Sequence, residues 1–121
     1  EPTKQDVVNK MLYVFTFYAG KVSKYSYREL QEKYFMELMS DIWTVAGKDQ
    51  YFDKGSITWR DLQNMYYSKG RKNVLDFNQF LEILPTISLY FEPDLHREES
   101  LKAIIYYLNA IYDSVVISEL K

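Results

Sequence analysis

The sequence predicts an all-α domain of five to six helices, with a helix–loop–helix core and at most a tiny two-stranded β-bridge between residues 56–58 and 74–76. Three observations predict it. Apolar residues recur at helical spacing along most of the chain. Four of these stretches open with Ser, Thr or Asp followed three positions later by an acid or amide, the mark of a helix start. Only Ser56-Ile57-Thr58 and Val74-Leu75 have the character of strand.

The first helix opens at Thr3 with Asp6, carries Val7, Met11, Val14, Phe15 and Tyr18, and stops at Gly20. Ser26 with Glu29 opens a second, whose stripe is Leu30, Tyr34, Phe35, Leu38, Ile42 and Val45, ending at Gly47. Residues from Lys48 to Ser56 read as a polar loop. Thr58 with Asp61 starts a third helix bearing Leu62, Met65 and Tyr66. Asp76 with Gln79 starts a fourth, with Phe77, Phe80, Leu81 and Leu84; Pro85 lacks a backbone donor, so a kink or restart is expected there. Pro93-Asp94 separates this from a last helix over residues 100–116.

Composition narrows the function. The chain has 121 residues, 47% of them hydrophobic, which suits one domain over 1–121 with its own core. It begins at Glu1 and reads as a piece of a longer protein. The net charge of −2 gives no field that favours nucleic acid or an anionic membrane. With no cysteine, neither a disulfide framework nor thiolate chemistry is available, and an intracellular setting follows as an expectation. Twelve tyrosines, apolar in body and polar at the tip, belong at the edge of the core.

Two segments carry the functional information. Gln50-Tyr51-Phe52-Asp53-Lys54-Gly55-Ser56-Ile57-Thr58-Trp59-Arg60-Asp61 and Ser68-Lys69-Gly70-Arg71-Lys72-Asn73-Val74-Leu75-Asp76-Phe77-Asn78-Gln79 have the outline of twelve-residue calcium loops running into helices. Such a loop needs a sharp turn at its sixth residue, here Gly55 and Asn73, and oxygen ligands at its first, third, fifth and twelfth. Those positions hold Gln50, Phe52, Lys54 and Asp61 in one segment and Ser68, Gly70, Lys72 and Gln79 in the other. A lysine stands where the cation would sit, so no metal and no cofactor is expected. Asp49, Asp53 and Asp61 read as capping and solvated residues. The two loops are also close in sequence, which implies that one helix, from about Trp59 to Lys69, serves both.

With these segments, Val14-Phe15-Thr16-Phe17-Tyr18-Ala19-Gly20, Glu37-Leu38-Met39-Ser40-Asp41 and Leu75-Asp76-Phe77-Asn78-Gln79-Phe80-Leu81, the chain resembles the p25-alpha domain of the tubulin polymerization-promoting proteins and the EF-hand-like helical modules of ciliary and basal-body proteins. The similarity spans about 70 residues. The chain has no glycine-rich tail and adds a last helix, which brings it nearer the ciliary modules. The resemblance implies a calcium-independent scaffold in the cytoskeleton, a cilium, flagellum or basal body, with tubulin or a cytoskeletal protein as partner.

Two surfaces are candidates for binding. Lys54, Arg60, Lys69, Arg71 and Lys72 would gather around the loops and suit an acidic partner, although solvated loop charge has the same appearance. Trp43, Trp59, Met36, Met39 and Met65 could instead line a groove for an amphipathic helix, an adaptor function unrelated to microtubules; stripes at helical spacing are more commonly core. The last helix could fill such a groove itself. Catalysis is not expected. The single histidine, His96, sits in a charged run, and no phosphate loop or nucleophile elbow is present.

Overall fold

The computed structural model describes residues 3–23, 25–48, 57–69 and 74–120. In chain order these form α1 (Lys4–Ala19), β1 (Leu30–Gln31), α2 (Glu32–Val45), α3 (Ile57–Lys69), β2 (Val74–Leu75), α4 (Phe77–Phe91), α5 (Arg97–Ile111), a π-helical turn (Tyr112–Val116) and α6 (Ile117–Leu120). Among the described residues the fold is all-α with a two-residue antiparallel β-bridge, the class that the sequence predicts.

The bridge has one expected strand and one unexpected strand. Leu75 pairs with Leu30, and Val74 with Gln31. Ile57 and Thr58, expected to be its other half, instead form the first turn of α3. The difference reorganises the core. The first helix–loop–helix unit is α1–β1–α2 and the second is α3–β2–α4, so each has two helices of its own. The segment expected to be the first loop lies largely at 49–56, outside the described residues.

Local chemistry explains most helix ends. Thr3 accepts the Asp6 N–H at 3.1 Å while Asp6 accepts the Thr3 N–H, a reciprocal cap. Asp76 and Gln79 do the same for α4. α2 ends with the Gly47 N–H bonded to the Thr44 carbonyl and the Lys48 N–H to that of Trp43. That reversal needs a left-handed residue, which Gly47 supplies at φ 69°. Ser26, expected to cap α2, does not: α2 starts at Glu32 behind Gln31, with no side-chain cap. α4 neither breaks nor restarts at Pro85 but runs unbroken through it. The lost hydrogen bond costs about 3 kcal/mol. Phe80, Ile83, Leu84, Ile87 and Phe91 are buried on both sides of it, each worth about 1.5–3 kcal/mol.

The core is one cluster shared by all five long helices. Phe15 of α1 meets Phe77 and Phe80 of α4, with ring centres 5.5 and 5.6 Å apart. Phe35 of α2 meets Tyr66 of α3 at 5.1 Å. α5 packs most extensively on α4, then on α1 and α2, and buries Ile104, Leu108 and Ile111. The π-helical turn inserts one extra residue after Ile111, so that Val116 returns to the buried side of the last helix.

Five tyrosine tips tie these elements together. Tyr18 of α1 donates to Asp41 of α2. Tyr66 of α3 donates to the Leu30 carbonyl of β1 at 2.7 Å, and Tyr67 to Glu32 of α2 at 2.5 Å. Tyr90 of α4 donates to Asp61 of α3 at 2.8 Å, and Tyr107 of α5 to Glu92 at 2.6 Å. Burial, followed by the Asp41 hydrogen bond, raises the pKa of Tyr18 well above the usual phenol range. Burial, with the charges around Tyr67 and Glu32 behind it, does the same for Tyr66. Burial and Glu92 push Tyr107 up to about 12.

These shifts make the fold sensitive to alkali. The folded state holds the three phenolic protons more tightly than the unfolded chain, whose tyrosines ionise near pH ~10. The stability they contribute is complete below that pH and is lost as pH rises above it. Tyrosinate absorbance and circular dichroism, followed together as pH rises past ~10, test this. Tyr18 and Tyr66 should appear as a late step coincident with loss of helical circular dichroism. A single smooth titration with the helices intact would refute this.

Candidate functional site

The two loops are where a metal would be expected in a fold of this shape, and their chemistry is of another kind. With Leu30 aligned to Leu75 as eighth residue, the first loop places Ser23, Tyr25, Tyr27 and Tyr34 at its first, third, fifth and twelfth positions. None is a carboxylate. The second places Ser68, Gly70, Lys72 and Gln79 there. Calcium requires six or more oxygens, several of them anionic. Among the described residues no three His, Cys, Asp or Glu side chains gather into a metal-sized group.

Each loop is closed by its own side chains. In the first, the Ser26 hydroxyl lies 2.7 Å from the Ala19 carbonyl at the end of α1 and 2.9 Å from the Ser23 carbonyl, and it accepts the Ser23 N–H at 3.1 Å. In the second, the Gln79 amide spans the loop. Its Oε1 accepts the Asp76 N–H at 2.9 Å, and its Nε2 donates to the Lys69 carbonyl at the end of α3, also at 2.9 Å. Thus the Gln79 amide connects the two sides of the second loop, as a shared ion would, and the Ser26 hydroxyl fastens the start of the first loop to the end of α1. Only a side chain with both a donor and an acceptor can make the Gln79 link.

Of the five predicted basic residues, Arg60 and Lys69 fall among the described residues. Lys54, Arg71 and Lys72 lie outside the described residues. Arg60 and Lys69 are exposed on α3, and Lys69 lies 3.6 Å from Glu82, an exposed pair worth little. The residues expected to line a Trp–Met groove take different positions. Met36 and Met39 are fully buried core residues, and Met65 packs against the core. Trp43 is half-buried beside Phe91, ring centres 5.5 Å apart. Trp59 is half-buried in a shallow depression of about 280 Å³ with Glu32, Lys33, Met36 and Gln63. Glu32 is already engaged there by Gln63 and Tyr67. α5 packs on α4, α1 and α2 and covers the apolar side that these helices share.

A different groove lies on the outside of the pair. α1 contributes Leu12, Phe15 and Thr16, the turn before β1 contributes Tyr27 and Arg28, and the start of α4 contributes Asp76, Phe77 and Asn78. The cavity measures about 460 Å³. Val8, one helical turn before Leu12, extends its apolar rim and is also exposed. A second depression shares Thr16 and Tyr27 and continues over Phe17, Gly20, Lys21 and Val115. Sequence reading missed this groove because its walls come from three separated segments. The available signal was Leu12 and Tyr27, apolar side chains placed off the main stripes.

The loop chemistry has a measurable consequence. Gln79→Glu keeps an acceptor for the Asp76 N–H but removes the donor to Lys69. It should destabilise the fold by about 1 kcal/mol, a fall in Tm of roughly 4 °C, with no recovery on adding calcium. An unchanged melting curve would show that the amide does not hold the loop. Comparison of the chain with protein-family models, with curated proteins and with solved structures yields no match.

Proposed function

We propose that this chain is a calcium-independent, non-catalytic protein-interaction module. The supporting observation is the way its two loops are closed, by Ser26 on the Ala19 carbonyl and by Gln79 between Asp76 and Lys69. A helix pair whose loops are already bridged needs no ion to take its shape, and it offers a standing surface instead of a metal-triggered one. The cytoskeletal setting, with tubulin or a ciliary or basal-body protein as partner, draws on the sequence resemblance and on the basic residues around the second loop. The alternative, a helix-binding adaptor unrelated to microtubules, draws on the outer groove between α1 and α4.

The module reading makes separable predictions. Melting curves in millimolar calcium and in chelator should superimpose, and calorimetry with calcium should give no heat of binding. A calcium-dependent rise in Tm would overturn the calcium-independent reading. Co-sedimentation with microtubules should occur at low salt and fall at high salt, because attraction to acidic tubulin tails is screened. Absence from the pellet at low salt would remove tubulin as the partner.

A further inference from the structure

Three features meet in the outer groove. First, its walls are apolar and reachable: Leu12 is 40% exposed and Tyr27 43%, with half-buried Phe77 between α1 and α4. Second, its volume of about 460 Å³ is in the range that takes a large side chain with its flanking backbone. Third, it carries an uncompensated cation. The Arg28 guanidinium lies 5.4 Å from the centre of the Tyr27 ring, and among the described residues it makes no ion pair. The acid across the groove, Asp76, is engaged by the Gln79 N–H in the cap of α4, where the helix terminus offsets its charge.

We propose that this groove receives a short segment of a partner protein in which an apolar side chain seats among Leu12, Tyr27 and Phe77 and an adjacent carboxylate pairs with Arg28. The inference rests on the interaction-module reading and names the chemistry of the partner. A guanidinium at cation–π distance from a phenol ring keeps its donors free for hydrogen bonding, and its planar edge matches a carboxylate in two-point geometry. A basic segment would meet Arg28 as a like charge, and a purely apolar one would leave the cation without a partner at the rim. Partial exclusion of water by Leu12 and Tyr27 strengthens the ion pair relative to one on open surface.

The test uses random short peptides displayed on phage and selected against the whole 121-residue chain, with binders then measured by fluorescence polarisation. The enriched peptides should place Asp or Glu beside a Leu, Phe or Trp. Arg28→Glu, at an exposed position that the fold does not depend on, should weaken them roughly tenfold, and Leu12→Ala by several-fold. Lys33→Glu, the same charge change beside the Trp59 depression, should leave binding unaltered, and circular dichroism should show all three variants folded. Binders rich in Lys or Arg, or binders equally sensitive to Lys33→Glu, would overturn the inference while leaving the module reading in place. Failure to enrich any binder would also overturn it, since no short segment would then be recognised. The module reading would still stand or fall on the calcium and microtubule measurements.

Discussion

The pairing of Leu30 with Leu75 is the constraint on which the rest of the structure depends. Two residues on each side make too small a sheet to be stable alone. Both leucines are fully buried, and the Leu30 carbonyl also accepts the Tyr66 hydroxyl from α3. The second unit therefore grips the first at the point where their strands meet. From that contact the two units face each other, α1 reaches α4 through Phe15, and α2 reaches α3 through Phe35 and Tyr66. The outer groove follows from the same geometry, since the turn that delivers Leu30 to the bridge also places Tyr27 and Arg28 opposite the start of α4.

In this frame hydrogen bonds do what charge does in a metal loop. A bound cation holds a loop by drawing several oxygens to one point. Here the acceptors are backbone carbonyls at the ends of α1 and α3, and the group that draws them in is a serine hydroxyl or a glutamine amide. The tyrosines extend the same principle between helices. Their rings fill space at the core boundary, and their hydroxyls reach carboxylates or carbonyls on the next element, so polar tips and apolar bodies are satisfied together. Four of the five links end on Asp or Glu, where a hydrogen bond is stronger than between neutral groups.

The helices and two of their caps were legible because their signals are local. Thr3 with Asp6 and Asp76 with Gln79 read the same way in sequence and in structure, and so did the stop at Gly47. The bridge partner was not legible, because two residues of strand have no period. Ser56-Ile57-Thr58 carries β-branched residues after a glycine and imitates a loop exit, whereas Leu30 follows Tyr25-Ser26-Tyr27-Arg28-Glu29, which has no glycine to mark a turn. Ser26 misled for a related reason. Its spacing to Glu29 is that of a helix cap, yet its hydroxyl turns back to Ala19, a choice decided by the close approach of α1. The unbroken course of α4 through Pro85 came from packing on both sides, which no local rule contains. The outer groove, assembled from three separated segments, has no signature in any one of them.

The position of α5 carries a consequence for competition. It is tethered to α4 by the short turn at residues 92–96, so its apolar side never diffuses away from the inner face it covers. A tether of this length corresponds to a local concentration in the millimolar range or above. An incoming helix of equal intrinsic affinity would have to be supplied at that level to displace it halfway. The inner face is thus insulated from chance encounters by mass action as well as by shape, and selection is left to act on the outside of the domain.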